Sequence, residues 1–498
     1  MEQTKLTFDN KQISAEIGQT VAQIIKREQP CGGHGKCGKC KVVARGSLSA
    51  PSESELRLLS ADELSNGVRL ACSARVLGEC EISTLRDERD SVVLTDADLP
   101  QIALCPDFER LGVALDIGTT TLAARLYSSD GELLSSAGAL NPQSSFGADV
   151  ISRIEASLAS HEEELASLIL SAIDKLVREL CRAADRTADE IGSIVLTGNT
   201  AMLYFLTKSS PLALSRAPFV ADRLFGETLS ARELRLSSLA PDTKVYLPPC
   251  ISAFVGADTV CALLATKLCD SDAVRMLVDI GTNGEMALFD GTRLYVCSTA
   301  AGPAFEGVGI SSGMRGEAGA IDKVTIVNGA LHSHTVGGAK ARGICGSGIV
   351  DAAACMLELE LMDETGFLED GDVTLAEGVT LTQNDIRSLQ LAKSAIYSGL
   401  CTLAKKCGAE LESIAELKIA GGFGKYLNMH SATRIGLLPR EVLGRTETVG
   451  NAALAGASML LLDVTLRKEA EEIAKRAEVV GLASDPVFSE FYMSSMLF

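Results

Sequence analysis

Three cysteines fall within ten residues of one another, Cys31, Cys37 and Cys40, in a loop otherwise made largely of glycine and lysine. A fourth, Cys72, follows after 31 intervening residues. Thiolates that converge from a tight loop and one distant position suit a [2Fe–2S] cluster, which needs several soft anionic ligands around a small core. Gly32, Gly33, Gly35 and Gly38 lie between the cysteines. They let backbone N–H groups turn toward the sulfides, and such hydrogen bonds favour the reduced, more negative cluster. Zinc is the competing ligand for a C-x2-C pair with His34 nearby, but zinc sites generally show a second such pair, and none follows. His34 then reads as a solvent-facing loop residue, and Cys80, eight residues past Cys72, as a structural thiol.

Two other stretches have the form of phosphate-binding turns. Leu111-Gly-Val-Ala-Leu-Asp-Ile-Gly-Thr-Thr-Thr121 and Arg275-Met-Leu-Val-Asp-Ile-Gly-Thr-Asn-Gly-Glu285 share an apolar strand followed by Asp-Ile-Gly-Thr, with the aspartates 163 residues apart. Asp116 can hold Mg²⁺ through water. Gly118 lets the backbone approach a phosphate, while Thr119 and Thr120 offer N–H and hydroxyl donors. Asp279, Gly281, Thr282, Asn283 and Gly284 can do the same from the second copy. No G-x4-G-K-[ST] is present, which excludes a P-loop enzyme. A third element, Leu417-Lys-Ile-Ala-Gly-Gly-Phe-Gly424, ends a strand in Gly421, Gly422 and Phe423, a surface on which a flat base or ribose can lie.

Around these motifs stand residues with two readings each. Asn199, where a strand meets a helix, positions water or phosphate as a catalytic residue, or caps the helix. Lys393, on a helix ahead of the Gly-Gly pair, contacts a ribose or is a solvated helix-face lysine. Gly346, Ser347 and Gly348 bind nucleotide at a helix N-terminus or allow close packing. Cys345 reads as a small buried thiol rather than a ligand of a second cluster. Glu306 and Arg315 flank a Gly-rich loop and read as facing a partner.

The elements that must position these groups fall into blocks. Residues 1–85 form a small β-rich module, with strands expected at 5–8, 12–16, 41–44, 72–76 and 80–84 and a short helix over 20–28 behind Thr20. Residues 86–109 are charged and Asp-rich with little periodicity, and read as a linker. From Leu111 strands and helices alternate, and the repeat divides the remainder into halves, 110–270 and 271–498, with C-terminal helices in the second. Two copies of one motif suggest a duplicated domain with a single cleft between its halves.

Composition bounds the setting. The 498 residues are 46% hydrophobic, enough for a large core, and carry a net charge of −19. Such acidity argues against nucleic acid or an anionic membrane as the main partner. Residues 1–12 lack the apolar core of a signal peptide, and residues 449–462 are too short to span a bilayer and read as a buried helix. Fifteen cysteines, an odd number, fit metal ligation and buried thiols in a reducing cytoplasm better than a disulfide framework.

Three resemblances follow from these residues. The cysteine loop resembles the C-x5-C-x2-C variant of the ferredoxin family, one residue longer than the plant-type spacing, and Arg69-Leu-Ala-Cys72 resembles the strand carrying the fourth ligand. The two aspartate turns and the late Gly-Gly, in that order, resemble the acetate/sugar kinase, Hsp70 and actin superfamily. That resemblance implies an α/β architecture: a β-grasp ferredoxin-like module, then a duplicated RNase H-like ATPase with ATP and Mg²⁺ in its cleft. Asn141-Pro-Gln-Ser-Ser-Phe-Gly-Ala-Asp-Val-Ile-Ser-Arg-Ile154, Thr197-Gly-Asn-Thr-Ala-Met202, Gly302-Pro-Ala-Phe-Glu-Gly307, Gly343-Ile-Cys-Gly-Ser-Gly-Ile-Val-Asp351 and Asp385-Ile-Arg-Ser-Leu-Gln-Leu-Ala-Lys393 are similar to the reductive activators of corrinoid proteins. The resemblance covers nearly the whole chain. It implies ATP-dependent reduction of Co(II) to Co(I) in a corrinoid protein of a methyltransferase system, with an external low-potential electron donor. Some relatives carry a separate middle domain before the ATPase; only about 25 residues separate Thr84 from Leu111 here. A homodimer is left open.

Plant-type clusters sit near −400 mV, and corrinoid Co(II) without a strong lower ligand is harder still to reduce, as the resemblance implies. Each 59 mV uphill is a factor of ten in a one-electron equilibrium, which is why an ATPase and a cluster belong on one chain. The alternatives are an ATP-driven electron donor to another low-potential metalloenzyme, a nucleotide-switched assembly protein with a redox-sensing module, and a kinase with a fused ferredoxin module.

Overall fold

The computed structural model describes residues 3–8, 11–25, 32–36, 38, 40–59, 61–65, 67–84, 95 and 99–498. Cys31 and Cys37 lie outside the described residues, as does half of the expected linker. The chain divides into two compact units, Met1–Asp90 with Pro142–Leu168, and Ser91–Asn141 with Ile169–Phe498.

In the first unit a five-stranded sheet is built from β1 (Gln3–Phe8), β2 (Lys11–Glu16), β3 (Lys41–Leu48), β4 (Val68–Leu70) and β5 (Val76–Thr84), in the order β2-β1-β5-β3-β4. β1 and β5 run parallel and the other pairs antiparallel. Alternation carries Leu6, Val42, Ala44 and Ile82 to a buried face with Val21 of the helix Val21–Ile25, as a half-buried sheet requires. This is the β-grasp arrangement. Cys72 differs from expectation: it lies not on a strand but in the turn after β4, where Ser73 and Ala74 donate their N–H groups back to Leu70 O, both at 2.9 Å.

A buried ion pair fixes that turn. Glu55, fully buried, sits in the helix Glu53–Leu58, which Ser52 caps. Its carboxylate accepts from Arg69 Nε at 2.8 Å, Arg69 Nη2 at 3.0 Å, and Leu70 N at 3.0 Å. Burial alone would raise its pKa; the Arg69 hydrogen bond and the Ser52 and Leu70 amides outweigh that and hold it below the usual range. Removing one partner strands the other charge in the interior, at a cost of about 3–5 kcal/mol. Glu55→Ala is therefore expected to lower the module's melting temperature and loosen the segment leading to Cys72. Thermal melting followed by circular dichroism checks this; an unchanged melting curve would contradict it.

The second unit holds two six-stranded sheets of one plan. In the first half β6 (Leu111–Ile117), β7 (Thr121–Ser128) and β8 (Leu133–Leu140) form an antiparallel meander. β9 (Ile191–Gly198) lies parallel to β6, β10 (Glu227–Ser230) is the antiparallel edge, and β11 (Lys244–Leu247) is parallel to β9, giving β10-β11-β9-β6-β7-β8. In the second half β12 (Arg275–Ile280), β13 (Gly284–Phe289) and β14 (Leu294–Thr299) repeat the meander. An inserted sheet of β15 (Ala320–Val327), β16 (Ala330–Thr335) and β17 (Gly343–Ile344) follows, with a hairpin, β18 (Val373–Ala376) and β19 (Val379–Leu381). β20 (Glu416–Ala420) then lies parallel to β12, β21 (Thr446–Gly450) parallel to β20, and β22 (Ala477–Val479) parallel to β14. The order β21-β20-β12-β13-β14-β22 matches the first half strand for strand through its meander and its parallel pair. The duplicated RNase H-like fold read from the repeat is thus present.

Between the sheets the helix Ala452–Leu462 is buried along its whole length, as an all-round apolar sequence demands. It crosses the helix Ala257–Thr266 so closely that a Cβ on Gly456 would lie 2.0 Å from Cys261 O. Residues 99–109 carry no regular helix or strand but are not a free tether. Cys105 exchanges backbone hydrogen bonds with Leu462 and Val464, and Phe108 is buried against the glycines that open β6 and β9. No helix among the described residues is long and apolar enough to cross a membrane.

Candidate functional site

The parallel pairs set the site. Register places Asp116 of β6 beside Thr197 of β9, so Gly198 and Asn199 leave β9 at the same end. In the second half Asp279 of β12 lies beside Ala420 of β20, so Gly421 and Gly422 leave there. Ligands in parallel α/β sheets bind beyond the carboxyl ends of the strands. There a cavity of about 440 Å³ opens within the second unit.

Both aspartate turns line it. Asp116, Gly118, Thr119, Thr120 and Asn199 face it from the first half. Asp279, Gly281, Thr282, Asn283, Gly421, Gly422 and Phe423 face it from the second. Gly284 does not: it opens β13, and a Cβ there would lie 2.3 Å from Ile396 Cδ1, so this glycine serves packing. Gly421 has φ +92° and a Cβ on it would stand 2.6 Å from Asp279 Oδ1; glycine alone fits such a place. Asn199 takes the capping role considered for it while lining the cavity. Its Oδ1 caps the helix Thr200–Leu206 through Met202 N at 3.0 Å, and its Nδ2 donates to Thr119 Oγ1 at 3.1 Å.

Lys393 is placed elsewhere. It is fully buried, and its ammonium donates to Ser495 O at 2.6 Å and Leu497 O at 2.5 Å, over the Phe498 ring. Burial lowers its pKa to about 8. It neither lines the cavity nor meets solvent, because a long side chain on the buried face of the helix Gln383–Cys407 must end on acceptors within reach. Glu306 and Arg315, expected to face a partner, instead line the cavity. The N-terminus of the helix Gly346–Glu358 points there too, with Cys345 buried at its start.

Sequence reading missed three groups in the cavity, Asp258, Glu285 and Asn451, and misplaced a fourth, Glu306. Asp258 begins the helix Ala257–Thr266, and Glu285 is the cross-strand partner of Asp279. Asn451 Nδ2 donates to Asp116 Oδ2 at 3.1 Å while its Oδ1 caps the helix Ala452–Leu462. Glu306 accepts from threonines of both turns. The carboxylates raise one another. Burial and the charge of Asp258 lift Asp116 to about 7, against the Asn451 hydrogen bond. Burial and Asp258 lift Asp279 to about 7 as well. Burial lifts Asp258 to about 6, opposed by hydrogen bonds from Thr259. Glu285 is pushed well above the usual carboxylate range by burial, then Asp258 and Asp279. Repelling carboxylates beside backbone and hydroxyl donors are a donor set that a magnesium-bound phosphate chain fits: the cation neutralises the acids while the turns take the phosphates.

In the first unit, Cys40 and Cys72 bring their Sγ atoms to 3.2 Å of each other, with neither in a disulfide. Gly32, Gly35 and Gly38 nearby have φ of +62°, +63° and +65°, the left-handed turns that aim amides into a concavity. The described half of the expected thiolate set is therefore one that an iron–sulfur cluster fits.

Two RNase H-like halves with Asp-Ile-Gly-Thr turns facing one cavity define the ASKHA class of ATPase fold. Residues 273–498 match the family model described as the C-terminal domain of RACo, the ASKHA domain, and residues 111–271 match the RACo middle region. The region those models call the middle is here the first half of the repeat. The corrinoid activation enzyme RamQ of Eubacterium limosum is 35% identical over 418 residues, spanning 78% of this chain and 70% of that protein. The [Co(II) methylated amine-specific corrinoid protein] reductase of Methanosarcina barkeri is 24% identical over 417 residues, 77% and 76% of the two chains. A solved reductive activator for corrinoid, iron–sulfur protein superposes with a TM-score of 0.74 at 28% identity, covering 99% of this chain and 98% of that one. The chain belongs to the family of reductive activators of corrinoid proteins, enzymes with an ASKHA domain.

Proposed function

We propose that this enzyme hydrolyses ATP in the cavity between Asp116 and Asp279 to drive reduction of a corrinoid protein's Co(II) to Co(I) in a methyltransferase system. The electron passes through its own cysteine module from an external low-potential donor. The observation that carries the reading is the convergence of both aspartate turns, Gly421–Gly422–Phe423 and four carboxylates on one cavity in a member of this family. Asp116 and Asp279 hold Mg²⁺ through water. Amides and hydroxyls of residues 118–120 and 281–283 take the phosphates, and Gly421, Gly422 and Phe423 take the adenosine. Cys31, Cys37, Cys40 and Cys72 hold a [2Fe–2S] cluster, which supplies a one-electron store at low potential when bound. Because each half contributes one phosphate turn, nucleotide favours one arrangement of the halves, and this is how its free energy reaches an uphill transfer. Metal analysis of the anaerobically isolated protein tests the module: two iron per chain are expected, and stoichiometric zinc without iron would contradict it.

Asp258 is the proposed base for the hydrolytic water. It faces the cavity, and its pKa of about 6 leaves it deprotonated at neutral pH yet able to take a proton. A base works only when deprotonated, and Asp116 and Asp279, lifted to about 7, hold the cation only when charged, so hydrolysis is expected to fall as pH drops through about 7 to 6, with Asp258 giving the inflection near 6. Asp258→Asn should lower the rate by about 10²- to 10⁴-fold and abolish that inflection. A pH–rate profile of both proteins checks this; the same inflection in the variant would assign the base elsewhere.

A further inference from the structure

Glu306 ends a one-turn helix, Pro303–Glu306, and is held by both phosphate turns at once. Thr120 Oγ1 donates to its Oε2 at 2.5 Å, and Thr282 Oγ1 donates to its Oε1 at 2.6 Å. Thr120 belongs to the first half of the repeat and Thr282 to the second. A carboxylate is the side chain closest to a phosphoryl group in charge and in acceptor geometry, and it takes the hydroxyls that nucleotide phosphates would use. An incoming triphosphate needs both donors and brings several negative charges. Two like charges a hydrogen bond apart in a partly buried site repel strongly, so carboxylate and phosphate cannot share the place.

We infer that Glu306 is a specificity-determining residue: it fills the phosphate subsite between Thr120 and Thr282 when nucleotide is absent and yields it to nucleotide phosphates. The inference rests on the assignment of the cavity to ATP. The backbone on either side suits a displaceable element. Gly302 and Gly307 have φ of +78° and +73°, conformations that glycine enters at little cost. Phe305 stacks on Phe423 with ring centroids 4.7 Å apart, so withdrawal of Glu306 shifts the aromatic neighbour of the adenosine motif. A ligand with an adenine and ribose but no phosphates leaves the carboxylate in place. The subsite therefore selects for the phosphate chain through the work of displacing an anion, as well as through the donors it offers.

The test is calorimetric titration of the full-length protein and Glu306→Gln with Mg–ATP and with adenosine, alongside steady-state hydrolysis. Glutamine keeps the size and removes the charge. The variant is expected to bind Mg–ATP about tenfold more tightly and adenosine as the wild type does, with KM for ATP falling and no matching rise in kcat. Equal or weaker binding of Mg–ATP would overturn the inference. So would an equal gain for adenosine, or a higher KM with a lower kcat, which would make Glu306 a ligand of the metal or substrate. If Glu306→Gln does not fold, Glu306→Ala carries the same expectations. A wild type that binds no Mg–ATP removes the nucleotide assignment itself; a wild type that binds it, with neither variant tighter, removes only the role of Glu306.

Discussion

Asp279→Asn is expected to lower ATP hydrolysis by about 10²- to 10³-fold, the usual consequence of removing one charge-stabilising group from an active site, and to lower Co(II) reduction with it. Asparagine keeps the size of the side chain and loses the charge that holds metal-bound water. Phosphoryl transfer depends almost wholly on positioning and charge stabilisation, so the loss falls on the chemical step. The substitution should be well tolerated by the fold, because Asp279 is one of several carboxylates that repel one another in the cavity. The cysteine module belongs to the other compact unit, so its visible spectrum and its reduction by dithionite should be unchanged. The measurement is hydrolysis and Co(I) formation in the same preparation. A variant that reduces the corrinoid at the wild-type rate while hydrolysing nothing would show that hydrolysis is not the drive.

Cys72→Ala separates the two activities in the other direction. The thiol lies 3.2 Å from that of Cys40, in a turn braced by the Glu55–Arg69 pair. Removing it should cost the protein its iron and, with it, ATP-dependent Co(II) reduction. ATP hydrolysis should stay within about twofold of wild type, since sites that share no partners behave additively and every residue lining the nucleotide cavity lies in the other unit. Iron content, visible absorption and hydrolysis rate decide it. Loss of hydrolysis together with iron would mean that the nucleotide site depends on the module.

What the sequence made legible was local and repeated. Asp116 and Asp279 stand in near-identical strings, so both the duplicated fold and the facing turns could be read from spacing. Of the β-grasp strands, β1, β2, β3 and β5 overlap stretches read as strands, whereas the three-residue β4 (Val68–Leu70) was too short to be read. Asp258, Glu285 and Asn451 were not read as site residues: Asp258 and Asn451 reach the cavity from elements outside the repeated string, and Glu285 closes its second copy as a residue of the neighbouring strand, while Glu306 was read as facing a partner. Asp258 did leave a signal in Gly256-Ala-Asp-Thr259, an acid at the start of an apolar helix, where N-terminal positions point out of the core toward a cleft. Lys393 went the other way: its helical position suggested ribose or solvent, whereas its partners lie about a hundred residues on, at Ser495 and Leu497. Long-range burial of that kind leaves no local pattern. Cys72 was assigned to a strand from the resemblance of Arg69-Leu-Ala-Cys72 to the strand carrying a fourth ligand, but a turn closed on Leu70 O satisfies the backbone there instead.

The central claim is that ATP drives an electron through this chain onto cobalt. The most direct measurement mixes the anaerobically purified protein with a chemical reductant and a Co(II) corrinoid protein, with and without Mg–ATP, and follows the visible absorption of Co(I). Co(I) should form with Mg–ATP and fall to the uncatalysed level without it. Co(I) appearing equally fast in the absence of nucleotide, or failing to appear in its presence while ATP is hydrolysed, would contradict the claim.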